Sequence, residues 1–222
     1  MMDMDLELNE SEMHLYSRQI LLDGWDLEAQ EKLKLANILI VGCGGIGCTT
    51  AELLARAGVG KISLIDADII EISNLQRQIA YVEPDIGFYK AEILAKRLQQ
   101  INPFIQVEHY TNRLDQQNAQ MLISQQDLGI IKTMLSMELL FPKGQQQNES
   151  LRCADSGVLA TTPNVIASLQ AHHALLYLGL GRTPLKQKLL LWDGLTMKQR
   201  ILSFEKDQDC TNCQLSHTAN AD

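Results

Sequence analysis

The sequence predicts an α/β protein: a mostly parallel sheet flanked by helices, closed by a C-terminal antiparallel strand pair. Three observations carry that prediction. An apolar, β-branched-rich run opens through clustered glycines into a helical segment and then a second apolar run. Helix-like and strand-like segments keep alternating as far as residue 131, the order that builds parallel sheets. Two short strand-like stretches near the end flank Asp193-Gly194, a dipeptide suited to a tight turn.

Taken in order, residues 1–10 are acidic and predict a frayed end, and residues 11–35 read as two short helices split at Asp23-Gly24. Residues 36–41 (Ala-Asn-Ile-Leu-Ile-Val) have the composition of a strand buried on both faces. Gly42-Cys43-Gly44-Gly45-Ile46-Gly47 follows, then a helix over residues 48–57 with small residues on one face, ended by Gly58 and Gly60. Residues 61–66 form the next strand, completing a βαβ unit whose crossover is right-handed. Ala91, Leu94, Ala95 and Leu98 keep the i, i+3, i+4, i+7 spacing of an amphipathic helix, extended by Ile101 and stopped by Asn102-Pro103. Ile105 and Val107 mark a third strand, residues 115–124 a helix, and residues 128–131 the start of a fourth strand.

After Lys132 the pattern fails, and residues 143–150 are polar and loop-like. Order resumes at Thr162-Pro163, with proline in the first turn of a helix. Val165, Leu169, His172 or His173, and Leu176 lie along that helix, and Gly179-Leu180-Gly181 closes it. Residues 187–192 and 200–205 form the terminal strand pair. No repeats and no second domain are visible: residues 1–222 read as one nucleotide-binding domain, with 1–10 and 207–222 flexible.

Composition narrows the function. A hydrophobic fraction of 45% and a charged fraction of 21% suit a globular domain of 222 residues. A net charge of -8 argues against nucleic-acid binding, which wants a basic face. No apolar run reaches the roughly 18 residues that a membrane span needs. The N-terminus lacks a basic segment followed by an apolar one, so it does not read as a secretory signal and a cytoplasmic location is expected. Five cysteines (Cys43, Cys48, Cys153, Cys210 and Cys213) are an odd count that does not suggest a disulfide framework.

The strand–glycine turn–helix unit is an anion site in outline. Glycines let the backbone approach a phosphate, while unpaired N–H groups and the helix dipole supply partial positive charge. Asp66, at the end of the following strand, stands where Rossmann-like sheets place an acid on ribose hydroxyls. The pattern predicts a nucleotide site and leaves NAD and ATP both open. A glycine turn that serves only helix–sheet packing is the bland alternative.

The residues after Asp66 decide between them. Asp66-Ala67-Asp68, then Ser73-Asn74-Leu75-Gln76-Arg77-Gln78, then Gly87 and Lys90, resemble the MoeB/ThiF/HesA family of adenylyltransferases, bacterial relatives of ubiquitin-activating enzymes. The resemblance starts at Tyr16-Ser17-Arg18-Gln19-Ile20 and runs through Ile101-Asn102-Pro103. It resumes at Leu140-Phe141-Pro142, Cys153-Ala154-Asp155-Ser156-Gly157 and Ser168-Leu169-Gln170-Ala171, and ends with Cys210 and Cys213. It implies ATP and Mg²⁺ as cofactors, and a ubiquitin-like sulfur-carrier protein as the partner whose C-terminal glycine is adenylated.

The same resemblance implies a nucleotide site made of Gly42, Gly44, Gly45, Gly47, Asp66, Asp68, Ser73, Asn74, Leu75, Gln76, Arg77 and Lys90. Arg77 and Lys90 would hold phosphate oxygens, Arg77 by its planar fork and Lys90 as a point charge. Asn74 would donate a further hydrogen bond and Asp66 would take the ribose. It also implies a homodimer in which Arg18 reaches the partner's site, an arrangement worth roughly 10³-fold or more in rate. The string at residues 73–78 has no job in hydride transfer, which removes the reason to prefer an NAD-dependent oxidoreductase.

The chain departs from the family after its fourth strand. The family's Asp–Asn element for Mg²⁺ and nucleotide is absent where this chain reads Lys132-Thr133-Met134. A strand–helix–strand unit needs about 30 residues or more, and residues 132–139 are too few, so such a segment is expected to be missing. Metal would then be held by the ATP phosphates, with Asp68 the nearest substitute carboxylate. A family member that binds nucleotide or partner without turnover is the alternative. Of the family's two zinc-binding Cys-x-x-Cys pairs only Cys210 and Cys213 remain; with His217 they supply three ligands where zinc takes four. Cys153 sits in the loop that in some members forms a covalent link to the carrier, and Arg152 beside it would favour its thiolate. Cys43 and Cys48 read as packing residues, and His172 and His173 as one half-buried and one solvated side chain.

Overall fold

The computed structural model describes residues 7–124, 126, 128–132 and 157–205, with the backbone alone for 128–132. The chain divides into two compact units, Met1–Arg182 and Thr183–Asp222.

The first unit opens with α1 (Glu10–Leu15), α2 (Ser17–Ile20) and α3 (Asp26–Leu35). Order begins earlier than the acidic N-terminus suggests. Leu8 is buried, and Asn9 and Glu12 exchange side-chain to backbone hydrogen bonds in a reciprocal N-cap. One predicted helix is two, broken at Tyr16, whose buried hydroxyl accepts from Asn102 Nδ2 at 2.7 Å. Gly24, with φ 78°, turns the chain toward α3.

Next come β1 (Asn37–Val41), α4 (Gly45–Ala57), β2 (Lys61–Ile65), α5 (Lys90–Ile101), β3 (Gln106–Tyr110), α6 (Gln116–Ser124), β4 (Leu128–Lys132) and α7 (Thr161–Leu180). The four strands pair in parallel in the order β3-β2-β1-β4. Ile38 and Ile40 of β1, with Ile62 and Leu64 of β2, enter the larger core with α3, α4, α5 and α7. Leu39 and Ile65 point the other way, to Leu122 of α6. This period of two, apolar on both sides, is why β1 and β2 read as unbroken hydrophobic runs.

A boundary and a buried face differ from the sequence reading, besides the last strand, which runs Lys198–Ser203 rather than 200–205. Helix α4 starts at Gly45 rather than residue 48: Gly44 is its N-cap, and the Cys48 N–H donates to Gly44 O at 2.9 Å. The last glycines of the turn therefore form the helix's first turn. On α7 the buried face is Ala167, Ala171 and Ala174 rather than the larger residues. Helix α7 packs along α4, and small side chains let the axes come close. Gly58 (φ 92°) and Gly181 (φ 64°) end α4 and α7 in the left-handed conformation.

The second unit is an antiparallel pair, β5 (Lys188–Asp193) and β6 (Lys198–Ser203). Asp193 begins the turn, accepting from the Leu195 N–H and the Thr196 hydroxyl. Among the described residues no helix is long and apolar enough to cross a membrane.

Candidate functional site

The parallel register sets Val41 opposite Ile65, so the chain leaving β1 runs beside the chain leaving β2. Gly42 leaves with φ 90°, a conformation that favours glycine, and its N–H donates to Ile65 O at 2.8 Å. The Cys43 N–H donates to Asp66 Oδ2 at 2.6 Å and the Asp68 N–H to Asp66 Oδ1 at 2.8 Å. Asp66 thus binds the glycine turn at the N-terminal end of α4, where the first N–H groups of the helix have no partners within it. A Cβ on Gly45 would stand 3.2 Å from Pro163 Cβ and 3.5 Å from Arg77 Cγ, so this glycine also allows α7 and Arg77 to approach.

An arm of chain crosses from β2 to α5 and folds back on itself. Ile70 N–H donates to Phe88 O, Gly87 N–H to Ile70 O, and Lys90 N–H to Asp68 O. This places Lys90, the first residue of α5, beside Asp68, with Nζ 3.0 Å from Oδ2. The Lys90 side chain is buried and that of Asp68 is exposed. Within the arm, buried Asn74 accepts the Glu71 N–H at 3.1 Å, and Arg77 Nη1 donates to Ser73 O at 3.0 Å. Asn164 of α7 joins the arm to α4: its Oδ1 accepts from Thr49 Oγ1 at 2.5 Å and its Nδ2 donates to Arg77 O at 3.5 Å.

Arm and turn meet at Tyr81. Its buried hydroxyl is 2.8 Å from Cys43 O and 3.3 Å from Lys90 O. Burial, then the neighbouring Cys43 and Cys48, push its ionisation far above that of a free phenol. Burial, then Asp66, does the same to the Cys43 thiol, and burial raises that of Cys48. Both cysteines are packing residues, as the sequence suggests.

A cavity of about 540 Å³ lies against the arm, lined by Ala67, Asp68, Ile69, Glu71, Asn74, Arg77, Gln78, Tyr89 and Lys90. Four of the expected site residues therefore share it: Asp68, Asn74, Arg77 and Lys90. Asp66 and the glycine turn adjoin it through the Asp68 N–H and the Cys43 N–H. Ser73, Leu75 and Gln76 do not line it: Leu75 packs on the core, and Gln76 Nε2 donates to Val158 O at 3.1 Å. Arg18 is exposed on α2 and is not among the lining residues. Gln78, Tyr81, Tyr89 and Asn164 were not singled out as site residues. Cys153, Cys210, Cys213 and His217 lie outside the described residues. Among the described residues no cluster of three or more His, Cys, Asp or Glu could hold a metal ion.

The profile of the ThiF family matches residues 16–134, more than half of the chain. The chain belongs to the ThiF family. The match ends where the sequence pattern fails, just after β4. The sulfur carrier protein adenylyltransferase of Thermus thermophilus is 32% identical, over 91% of this chain and 91% of that protein. That alignment runs over 247 positions while taking in 91% of a 222-residue chain, so several tens of the relative's positions face gaps here. The adenylyltransferase and sulfurtransferase MOCS3 of Arabidopsis thaliana is 31% identical over 93% of this chain, which spans 53% of that longer relative. The crystal structure of Escherichia coli MccB with ATP matches with a TM-score of 0.75 and 22% identity, over 94% of this chain and 77% of that one. That likeness is one of fold.

Proposed function

We propose that this chain is an ATP-dependent adenylyltransferase that activates the C-terminal glycine carboxylate of a ubiquitin-like sulfur-carrier protein, of the molybdopterin or thiamine type. One observation supports it above the rest. Two cations from distant points of the arm, Arg77 and Lys90, line one cavity beside a glycine turn at a helix N-terminus. That is an arrangement for polyphosphate. The name of the Thermus relative supports a carrier protein as the acceptor.

In this reading a carboxylate oxygen of the carrier attacks the α-phosphorus of ATP, and the bond from that phosphorus to the pyrophosphate oxygen breaks. The products are an acyl-adenylate and pyrophosphate. The protein's share is positioning and charge neutralisation. The turn from Gly42 to Gly47 offers backbone N–H groups, Arg77 and Lys90 hold phosphate oxygens, Asn74 adds a hydrogen bond and Asp66 takes ribose hydroxyls. Mg²⁺ would come with the triphosphate, and Asp68, which with Glu71 lines the cavity, would be the carboxylate to help hold it. A second copy of the chain brings its Arg18 to the site, whose exposure on α2 suits that role. Cys153 would form a covalent link to the carrier in this scheme; Cys210 and Cys213, with His217, would offer zinc three ligands where it takes four.

The test is exchange of labelled pyrophosphate into ATP, with a carrier ending in glycine. Exchange that requires both carrier and Mg²⁺ is expected. A folded chain that neither exchanges nor binds ATP would exclude this function.

A further inference from the structure

Asn164, in the first turn of α7, touches both halves of the site without lining the cavity. Its Oδ1 accepts from the buried Thr49 hydroxyl of α4 at 2.5 Å, and its Nδ2 donates to Arg77 O at 3.5 Å and to Ala160 O at 2.8 Å. Acceptor and donor ends are thus both engaged within the chain. Two further contacts meet at this junction. Pro163 and the Arg77 stem both lie against Gly45, where an added Cβ would stand 3.2 Å from Pro163 Cβ and 3.5 Å from Arg77 Cγ. Gln76 Nε2, one residue before Arg77, donates to Val158 O just ahead of α7.

A long cationic side chain holds an anion best when its stem is already in place, because ordering it on binding costs rotamer entropy. The bond from Arg77 Nη1 to Ser73 O orders the guanidinium only within its own arm. The start of α7 is what sets that part of the arm against α4. Lys90 is mounted separately, as the first residue of α5 beside Asp68. We infer that Asn164 is a positioning residue for Arg77: by bridging the Arg77 main chain to Thr49 it sets this cation against the glycine turn, and it does not do so for Lys90. The inference rests on the adenylyltransferase reading above, in which Arg77 holds phosphate oxygens.

The experiment is a pair of mutant cycles. Titration calorimetry measures ATP affinity for the parent, Asn164→Ala, Arg77→Ala, Lys90→Ala and the two double variants that contain Asn164→Ala; thermal melting is followed without ligand. Where binding is too weak for calorimetry, the rate of pyrophosphate exchange at limiting ATP takes its place. Asn164→Ala is expected to weaken ATP binding about fivefold, a size usual for coupled neighbours. In the Arg77→Ala background it should change affinity by less than about twofold, because the residue it acts through is gone; in the Lys90→Ala background it should keep its full effect. A purely structural role would weaken binding by one factor in every background. Thr49→Val removes the hydroxyl at the other end of the bridge and should repeat the pattern, which keeps the test open if Asn164→Ala does not fold. Equal factors in both backgrounds, a loss that vanishes in both, undiminished ATP binding by Asn164→Ala, or loss of the fold by both Asn164→Ala and Thr49→Val overturns the inference. An Arg77→Ala chain that binds ATP as the parent does removes the role of Arg77, and the inference with it. A parent that binds no ATP overturns it together with the proposed function, and so is told apart from failure of Asn164 alone.

Discussion

The two halves of the candidate site are built by different means. The glycine turn is held by the sheet: the parallel register carries Gly42 to Ile65, and Asp66 binds the turn through the Cys43 N–H. The arm from Ala67 to Lys90 is shaped by a folded-back backbone, the Asn74 cap and the Lys90–Asp68 pair, and is anchored to the core by Ile70, Ala80 and Tyr81. In the turn, structure and ligand binding draw on the same atoms. In the arm the cations are spare to the fold, since Arg77 is only partly buried and Lys90 pairs with an exposed carboxylate. Substitutions in the arm should therefore separate activity from stability, and substitutions in the turn should not.

Lys90→Ala tests the separation most severely. In the proposed reaction, removing a charge that faces the transferred group costs about 100-fold or more in rate, so pyrophosphate exchange should fall by at least that much. The melting temperature should stay close to the parent's, because the abandoned partner, Asp68, already faces solvent. Arg77→Ala should behave alike. Tight ATP binding retained by both variants would leave the arm without its assigned role.

What the sequence disclosed follows the same division. The strands and the glycine turn were legible because their causes are local: an apolar run for a strand covered on both faces, glycines where φ turns positive, an acid after the next strand. The start of α4 was misplaced because Gly45 and Gly47 read as turn residues although their backbone is already helical. The buried alanines of α7 were passed over for Val165 and Leu169, since the sequence does not show how closely α4 lies. Arg77 and Lys90 were legible only through the whole string around them, because one basic residue on a helix end carries no signal of its own. Tyr81 had no signal at all: its hydroxyl partners lie 38 and 9 residues away.

Asp66→Ala should cost both stability and function. It strips the acceptor from the N–H of a fully buried residue, Cys43, and a hydrogen bond to a charged group that leaves a buried donor unpaired is worth about 2–3 kcal/mol. In a chain of this size that lowers the melting temperature by about 5–10 °C. ATP affinity should fall with it, as calorimetry on the cooled, folded variant would report. A stable variant with lost affinity would show that the turn, like the arm, keeps binding apart from folding. Tyr81→Phe lies between the halves. It removes the hydroxyl bonded to Cys43 O and Lys90 O, a loss of about 1–2 kcal/mol. The variant should melt a few degrees lower and bind ATP somewhat more weakly, and an unchanged melt would mean that Tyr81 does not join turn to arm.

The smallest effect expected is none, and it bears on how closed the turn is. Cys43 lies within the glycine turn and Cys48 in the first turns of α4, both fully buried. Burial, with Asp66 adding to it at Cys43, keeps each thiol protonated above the ordinary range, and the thiolate is the form that reacts. Iodoacetamide at mildly alkaline pH should therefore leave both unmodified in the folded chain and label both once it is denatured, as peptide mass mapping would show. Labelling of Cys43 in the native chain would mean that the turn opens without Asp66 to hold it. The turn would then be no more rigid than the arm, and the contrast between the two halves would fail at its firmer side.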